Sequence, residues 1–220
     1  MTDHDAPTSR FLVLHDYGMG GSWWWVHARS VREVRETFAD VEVIDTAETL
    51  ERAEGWGLDE ARVDAATTPE GLDELRAKRE AQRGLDGFGA LADREMVWLR
   101  RRWDDGNDED RTLYLMEVGA DGRRTRQVEL TPDGAGVRSG PDDWPFNPPV
   151  VDLFDPVLVG MEIGQDEFER NWLGARPMEW PDEEPAEEPP RDGPTDVPTN
   201  RRGGCGRLRL RYAQSGHRPR

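Results

Sequence analysis

The sequence predicts an α+β fold built from two small modules and followed by a disordered tail. Apolar and polar residues alternate in several short segments, and turns such as Asp121-Gly122 separate them, which is typical of antiparallel strands. In other segments the apolar residues recur every three or four positions, as in amphipathic helices. Only 35% of the 220 residues are hydrophobic, so small cores are expected and one large core is not.

The first module is predicted over residues 11–83 as a β-hairpin, a helix and a strand, with extra helices after them. The hairpin joins strands at residues 11–16 and 22–28, which are rich in aromatic and β-branched residues, through a glycine-rich turn. Ser30, followed three residues later by Glu33, is a capping box that predicts the start of a helix.

Shorter signals predict the rest of this module. A third strand is expected at residues 41–44, and residues 46–60 are expected to form a short helix or an ordered loop. Thr68-Pro69 combines a capping residue with proline at the first helical position, so a helix is predicted to start there and to end at Gly84.

The second module is predicted over residues 96–176, after a linker at 84–95. It is expected to be an antiparallel meander closed by a helix at 165–173, in which Phe168 and Trp172 are four residues apart. The four strands of the meander are expected at residues 96–103, 112–118, 125–130 and 136–139.

Both ends of the chain are predicted to be disordered. Residues 1–10 are polar and lack the basic start and apolar stretch of a signal peptide. Residues 177–220 are rich in proline and acid up to 200 and rich in arginine beyond, with too few apolar residues to offset the conformational entropy of folding. The arginine-rich end is either an anion-binding arm or a read-through extension of a GC-rich gene.

The charge and cysteine content exclude several classes of function. A net charge of −17 disfavours nucleic acid and anionic membranes and favours a cationic protein as partner, although the acids could also serve only solubility. With Cys205 as the single cysteine, neither an intrachain disulfide nor a cysteine-based zinc site can form. No apolar run approaches the ~20 residues that span a membrane. We therefore predict a cytoplasmic protein without a cofactor.

The glycine-rich hairpin turn is one candidate ligand-binding site. An α/β-hydrolase oxyanion loop is disfavoured because none of the serines lies in a Gly-x-Ser-x-Gly elbow, and a dinucleotide site is disfavoured because a strand follows the glycines. A metal site that includes His27 is disfavoured, since His15 and His27 fall on opposite sheet faces. No catalytic or metal-binding residue is predicted, and the candidate ligand-binding residues are His15, Asp16, Tyr17, Gly18, Gly20 and Gly21.

The tryptophans Trp23, Trp24 and Trp25 are the candidate partner-binding residues. Strand alternation places Trp24 on one face and its two neighbours on the other. One face is expected to pack on the helix. The other is either exposed, as in a binding hot spot, or covered by residues 46–83.

Residues 96–173 carry motifs that resemble an uncharacterised bacterial domain of unknown function. The matching segments are Val97-Trp98-Leu99, Leu115-Met116-Glu117-Val118, Asp121-Gly122, residues 123–129, Asp133-Gly134, Glu162-Ile163 and residues 167–172. Some members of that family occur near polymorphic toxin systems, so the resemblance implies an immunity-type role. Residues 144–149 and the long tail depart from its pattern. The N-terminal half resembles actinobacterial proteins without an assigned function.

Three hypotheses follow for the function. The first is a non-enzymatic acidic protein that binds a cationic protein partner, in an immunity-type role. The second is a small-ligand-binding or enzymatic protein that uses the turn from His15 to Gly21. The third is a structural or scaffolding module, and the sequence leaves its oligomeric state open.

Overall fold

The computed structural model describes residues 7–18, 20–102, 112–143, 146 and 148–179, which belong to one unit of the chain. They form two β-sheets, four α-helices and a 3-10 helix, which confirms the α+β class. The predicted disorder of residues 1–6 and 180–220 lies outside the described residues. In the described part of the chain, every helix is too short or too polar to cross a membrane.

The first sheet has four strands in the order β3-β1-β2-β4. Strands β1 and β2 form the predicted hairpin, β3 pairs with β1 antiparallel, and β4 pairs with β2 in parallel. The strands are β1 (Ser9–Asp16), β2 (Gly21–Ala28), β3 (Glu42–Ile44) and β4 (Glu60–Arg62), and the helices are α1 (Val31–Thr37), α2 (Ala47–Ala53) and α3 (Leu72–Arg83).

The hairpin follows the predicted alternation but begins earlier. Ser9 and Arg10 already belong to β1 although residues 1–10 were expected to be disordered, because they pair with Ala28 and His27. Strand β4 was not predicted, since three residues with two charges carry no strand pattern.

The helix starts show which sequence signals were sufficient. The Ser30 hydroxyl accepts a hydrogen bond from the backbone N–H of Glu33 at 3.1 Å, so the predicted cap of α1 is confirmed. Helix α3 begins at Leu72 and not at Thr68-Pro69, because Gly71 has a φ of +82°, which interrupts a helix. Gly84 ends α3 as predicted.

The second sheet is the predicted meander with one further strand. Its strands β5 to β9 follow one another in chain order, and the last pairs with β8 in parallel. The elements are β5 (Met96–Arg102), β6 (Leu113–Gly119), β7 (Arg124–Leu130), β8 (Gly136–Ser139), a 3-10 helix (Pro156–Met161), α4 (Gln165–Gly174) and β9 (Arg176–Pro177). Strand β9 reaches into the predicted tail, since Met178 also donates a backbone hydrogen bond to Arg138.

Both faces of the second sheet are covered. Phe168 of α4 is fully buried against Leu115 and Val128 on one face. Residues 151–158 cover the other face together with Leu91, which is 1% exposed. The segment 84–95, predicted as a linker, therefore also contributes to this core.

A buried ion pair links helix α3, which packs on the first sheet, to the segment that covers the second sheet. Arg79 of α3 is 1% exposed, and its Nη2 lies 2.7 Å from both oxygens of Asp152. The same nitrogen donates to the backbone oxygen of Phe38 at 3.1 Å. Asp152 in turn accepts hydrogen bonds from the backbone N–H groups of Asp40 and Phe154. One carboxylate thus fixes the segment after residue 151 on the first sheet and its helices.

Replacing Asp152 by Asn keeps the size of the side chain but leaves the Arg79 guanidinium buried without a counter-charge. We expect the free energy of unfolding to fall by about 3–5 kcal/mol, the usual cost of removing one partner of a buried ion pair. Urea-induced unfolding of the full chain measures this loss. The control is Glu54→Gln at the exposed pair with Arg10, where ion pairs contribute about 0–1 kcal/mol. Equal small losses in both variants would contradict the central role of the buried pair.

The lowered pKa of Glu117 makes the stability of the protein depend on pH. The Arg126 guanidinium, and then the Thr125 hydroxyl and the Trp98 indole, hold the pKa of Glu117 below its ordinary value, although burial opposes them. The unfolded chain therefore binds a proton at higher pH than the folded protein does. The stability that this group contributes is complete above its unfolded pKa of about 4.3 and is lost as the pH falls through the lower folded pKa.

We accordingly expect Glu117→Gln to lower the free energy of unfolding at neutral pH and to flatten its decline in acid. Urea unfolding at a series of pH values from neutral to acidic tests this. Glu54→Gln, which removes an acid that does not contact Arg126, should keep the slope of the unaltered protein. An unchanged slope in Glu117→Gln would refute the assignment.

Candidate functional site

The predicted ligand-binding turn forms a self-contained loop at the surface. The Asp16 carboxylate accepts a hydrogen bond from the backbone N–H of Gly18 at 2.7 Å, and Tyr17 donates its backbone N–H to Gly20 at 3.1 Å. Gly18 has a φ of +86°, which a side chain would disfavour. Tyr17 is 60% exposed. Asp16, Gly18 and Gly20 therefore stabilise the turn, which ends at Gly21.

His15 connects this hairpin to the chain before β3. Its Nδ1 lies 2.9 Å from the backbone oxygen of Asp40. His27 lies on the opposite face of the sheet, as predicted, and its Nε2 is 3.0 Å from Glu60. Among the residues that the structure describes, no three His, Cys, Asp or Glu side chains are grouped so that they could hold a metal ion.

The three tryptophans divide between two packed faces. Trp24 is 5% exposed and packs in the core with α1 and α3, whereas Trp25 is 4% exposed and packs with Ala53 of α2. Trp23 is partly buried, in an edge-to-face contact with Trp56 at 5.2 Å. Residues 46–58 thus cover the second face, and the exposed alternative is wrong for Trp24 and Trp25. Their rings belong to the core because the first sheet has helices on both faces.

Three exposed apolar side chains lie on two neighbouring segments of the chain. Leu85, in the turn after α3, is 55% exposed, and Val157 and Val159 of the 3-10 helix are 59% and 42% exposed. The two segments touch, because a Cβ on Gly87 would lie 2.9 Å from a methyl group of Val159. We call Leu85, Val157 and Val159 the two-turn patch.

Two carboxylates next to the two-turn patch form no ion pair with any residue that the structure describes. Asp86 follows Leu85 and forms no ion pair with the described residues, and Asp155 serves as the cap of the 3-10 helix by accepting from the backbone of Val157 at 3.0 Å. The neighbouring Arg83 is already paired with Glu80 at 3.2 Å. The surface therefore combines apolar side chains with negative charge.

Sequence reasoning missed the two-turn patch. Leu85 lies in the predicted linker, and residues 151–161 were assigned to no element. The available signal was local: Leu85 stands between Gly84 and Asp86, and Val157 and Val159 follow a proline that starts a short helical turn. Both are contexts in which an apolar residue is easily left at the surface.

A cleft of about 210 Å³ lies where α1 and α3 meet the segment around Asp152. It is distinct from the glycine-rich turn, whose residues do not line it. Its lining residues are Val31, Arg32, Arg35, Val41, Arg79, Ala92, Ala120, Asp121, Gly122, Val151, Asp152, Leu153 and Phe154. The cleft combines arginines, carboxylates and apolar walls.

Neither a protein-family model, nor a curated protein, nor a solved structure matches this chain. The likeness of residues 96–173 to a domain of unknown function stays a prediction. The function therefore has to be inferred from the geometry of the patch and the cleft.

Proposed function

We propose that this protein is a non-enzymatic binding protein whose two-turn patch docks on a cationic protein. The observation that carries the proposal is the exposure of Leu85, Val157 and Val159 on two segments in contact. Exposed apolar side chains on neighbouring segments, with polar residues around them, are a feature of protein interaction sites.

The apolar part of the two-turn patch would supply the affinity. Burying apolar surface contributes about 25 cal/mol per Å². A partner that covers these half-exposed side chains would therefore be stabilised in the complex. The patch is also anchored, since Gly89 donates a backbone hydrogen bond to Phe154 at 3.1 Å and connects its two segments. An interface that is already ordered loses less entropy on binding.

The charge of the protein supports the choice of partner. The acids Asp86 and Asp155 flank the patch without cationic partners in the described residues, and the whole chain carries a net charge of −17. Complementary charge accelerates encounter and rejects partners of like charge. The same charge disfavours nucleic acid.

An immunity-type role is the specific form of this proposal. It follows from the resemblance of residues 96–173, and the 3-10 helix with Val157 and Val159 lies within that segment. The partner would then be a basic toxin encoded near this protein, and binding would block the toxin without any reaction by this chain.

Removing the apolar side chains tests the two-turn patch. We expect the double variant Leu85→Ser/Val159→Ser to lose at least tenfold in affinity for a basic partner. A tenfold loss corresponds to about 1.4 kcal/mol, and burial of apolar surface contributes about 25 cal/mol per Å². The full-length tagged protein is purified from its native host, and the affinity of the stoichiometric partner is then measured by calorimetry.

The control for this experiment is Leu173→Ser, which removes an apolar side chain that is 77% exposed on α4, away from both segments of the patch. It should bind like the unaltered protein. Three results would overturn the proposal: no stoichiometric basic partner, equal binding by the double variant, or light scattering that shows self-association through the patch.

A charge reversal tests the acidic flank separately. We expect Asp86→Lys to slow association with the cationic partner and to weaken the dependence of the association rate on salt. The reason is that attraction between opposite charges raises the association rate and that salt screens this attraction. Surface plasmon resonance at low and high salt measures both effects. Glu51→Lys, an exposed change of the same charge on α2, should slow association less. Equal effects of the two variants would mean that only net charge matters.

A further inference from the structure

The cleft beside Asp152 contains a guanidinium that has no acceptor among the described residues. Arg35 of α1 lines the cleft, is partly buried, and makes no hydrogen bond or ion pair with any residue that the structure describes. Burial lowers the pKa of the Arg35 guanidinium below its ordinary value. An anion that reaches this partly desolvated guanidinium would gain charge-assisted hydrogen bonds.

A second arginine, Arg79, lines the same cleft. Arg79 is 1% exposed, and its Nη1 and Nη2 are bound by Gln82, Phe38 and Asp152, but its Nε has no acceptor among the described residues. Few buried polar atoms in folded proteins lack a partner, and those that do call for an explanation. Because the Nε of Arg79 is enclosed, a ligand in the cleft would bind to Arg35 and not to this atom.

The carboxylates of the cleft are already neutralised. Asp152 is paired with Arg79, and Asp121 accepts the backbone N–H of Arg123 at 3.0 Å with its guanidinium 3.5 Å away. Arg32 is likewise paired with Glu36 and with Asp93. Arg35 is therefore the cation of the cleft that remains available to a ligand.

The rest of the lining is apolar. Val31, Val41, Val151 and Leu153 contribute aliphatic side chains, and the Phe154 ring is 6% exposed. A volume of about 210 Å³ is small for a ligand site, since pockets for drug-sized molecules hold about 300–1,000 Å³. The space fits a compact molecule with one polar end.

We propose that this cleft binds a small organic monocarboxylate, with the carboxylate on Arg35 and the apolar body against the valines and Phe154. A planar carboxylate matches the paired donors of a guanidinium. A phosphate dianion is disfavoured because Arg35 supplies one positive charge, and the second negative charge of the ligand would stay uncompensated beside the apolar lining. The inference is independent of the proposed protein partner.

Benzoate is the probe for the test, with benzamide as its uncharged analogue and inorganic phosphate as the anion that should not bind. We expect calorimetry on the full-length protein to detect benzoate, and NMR to show a shift of the Arg35 Nε–H resonance. Benzamide and phosphate should bind at least tenfold more weakly.

The variant Arg35→Gln should weaken benzoate binding at least tenfold, and it should fold because Arg35 holds no internal hydrogen bond or ion pair with the described residues. Ala92→Leu, which narrows the cleft but keeps Arg35, should weaken binding as well. Arg170→Gln, an exposed change on α4, is the control and should bind normally.

Three results would overturn the inference: no benzoate binding at millimolar concentration, equal binding by Arg35→Gln, or equal affinity for benzamide. Each would leave the two-turn patch untouched, because no residue of the patch lines the cleft. Conversely, loss of partner binding in the patch variants would not alter the affinity for benzoate. The two ideas can therefore fail separately.

Discussion

A guanidinium that is 1% exposed needs a counter-charge, and that of Arg79 comes from Asp152, 73 residues away along the chain. The pair also collects backbone groups from both sides, since Phe38 accepts from Arg79 while Asp40 and Phe154 donate to Asp152. Taking both charges out of water is costly, and good geometry with additional hydrogen bonds offsets that cost. The pair therefore determines where the second sheet's covering segment meets the first sheet.

The cleft and the two-turn patch both follow from this position. The segment that begins at Asp152 passes Phe154, which lines the cleft, and reaches Val157 and Val159 at the surface. Helix α3 also runs from the cleft to the patch. Its residue Arg79 lines the cleft, and Leu85 lies in the turn beyond its end. Apolar residues are thus left exposed on two segments that the buried pair holds together.

The sequence predicted those elements whose signals are local. Alternation and glycine turns predicted the hairpin and the meander, and Ser30 predicted the start of α1. Strands β4 and β9 were missed because two or three residues carry no period, and their pairing partners alone make them strands. The unused donors of Arg35 and Arg79 could not be predicted either. Whether an arginine is paired depends on residues that only the tertiary structure brings near it.

The acidic composition predicts a cationic protein partner, and this prediction concerns the surface only. In water, salt screens the interaction between charges over a Debye length of about 8 Å at physiological salt. Within that distance of the surface, the net charge of −17 attracts a cationic macromolecule and repels an anionic one. Inside the cleft the nearest groups select the ligand. There each carboxylate of the lining already has a cation, whereas Arg35 forms no hydrogen bond or ion pair with the described residues. An acidic protein can for this reason attract a basic protein at its surface and a small carboxylate within it. The two binding events differ in location and in the range of the forces that select the ligand.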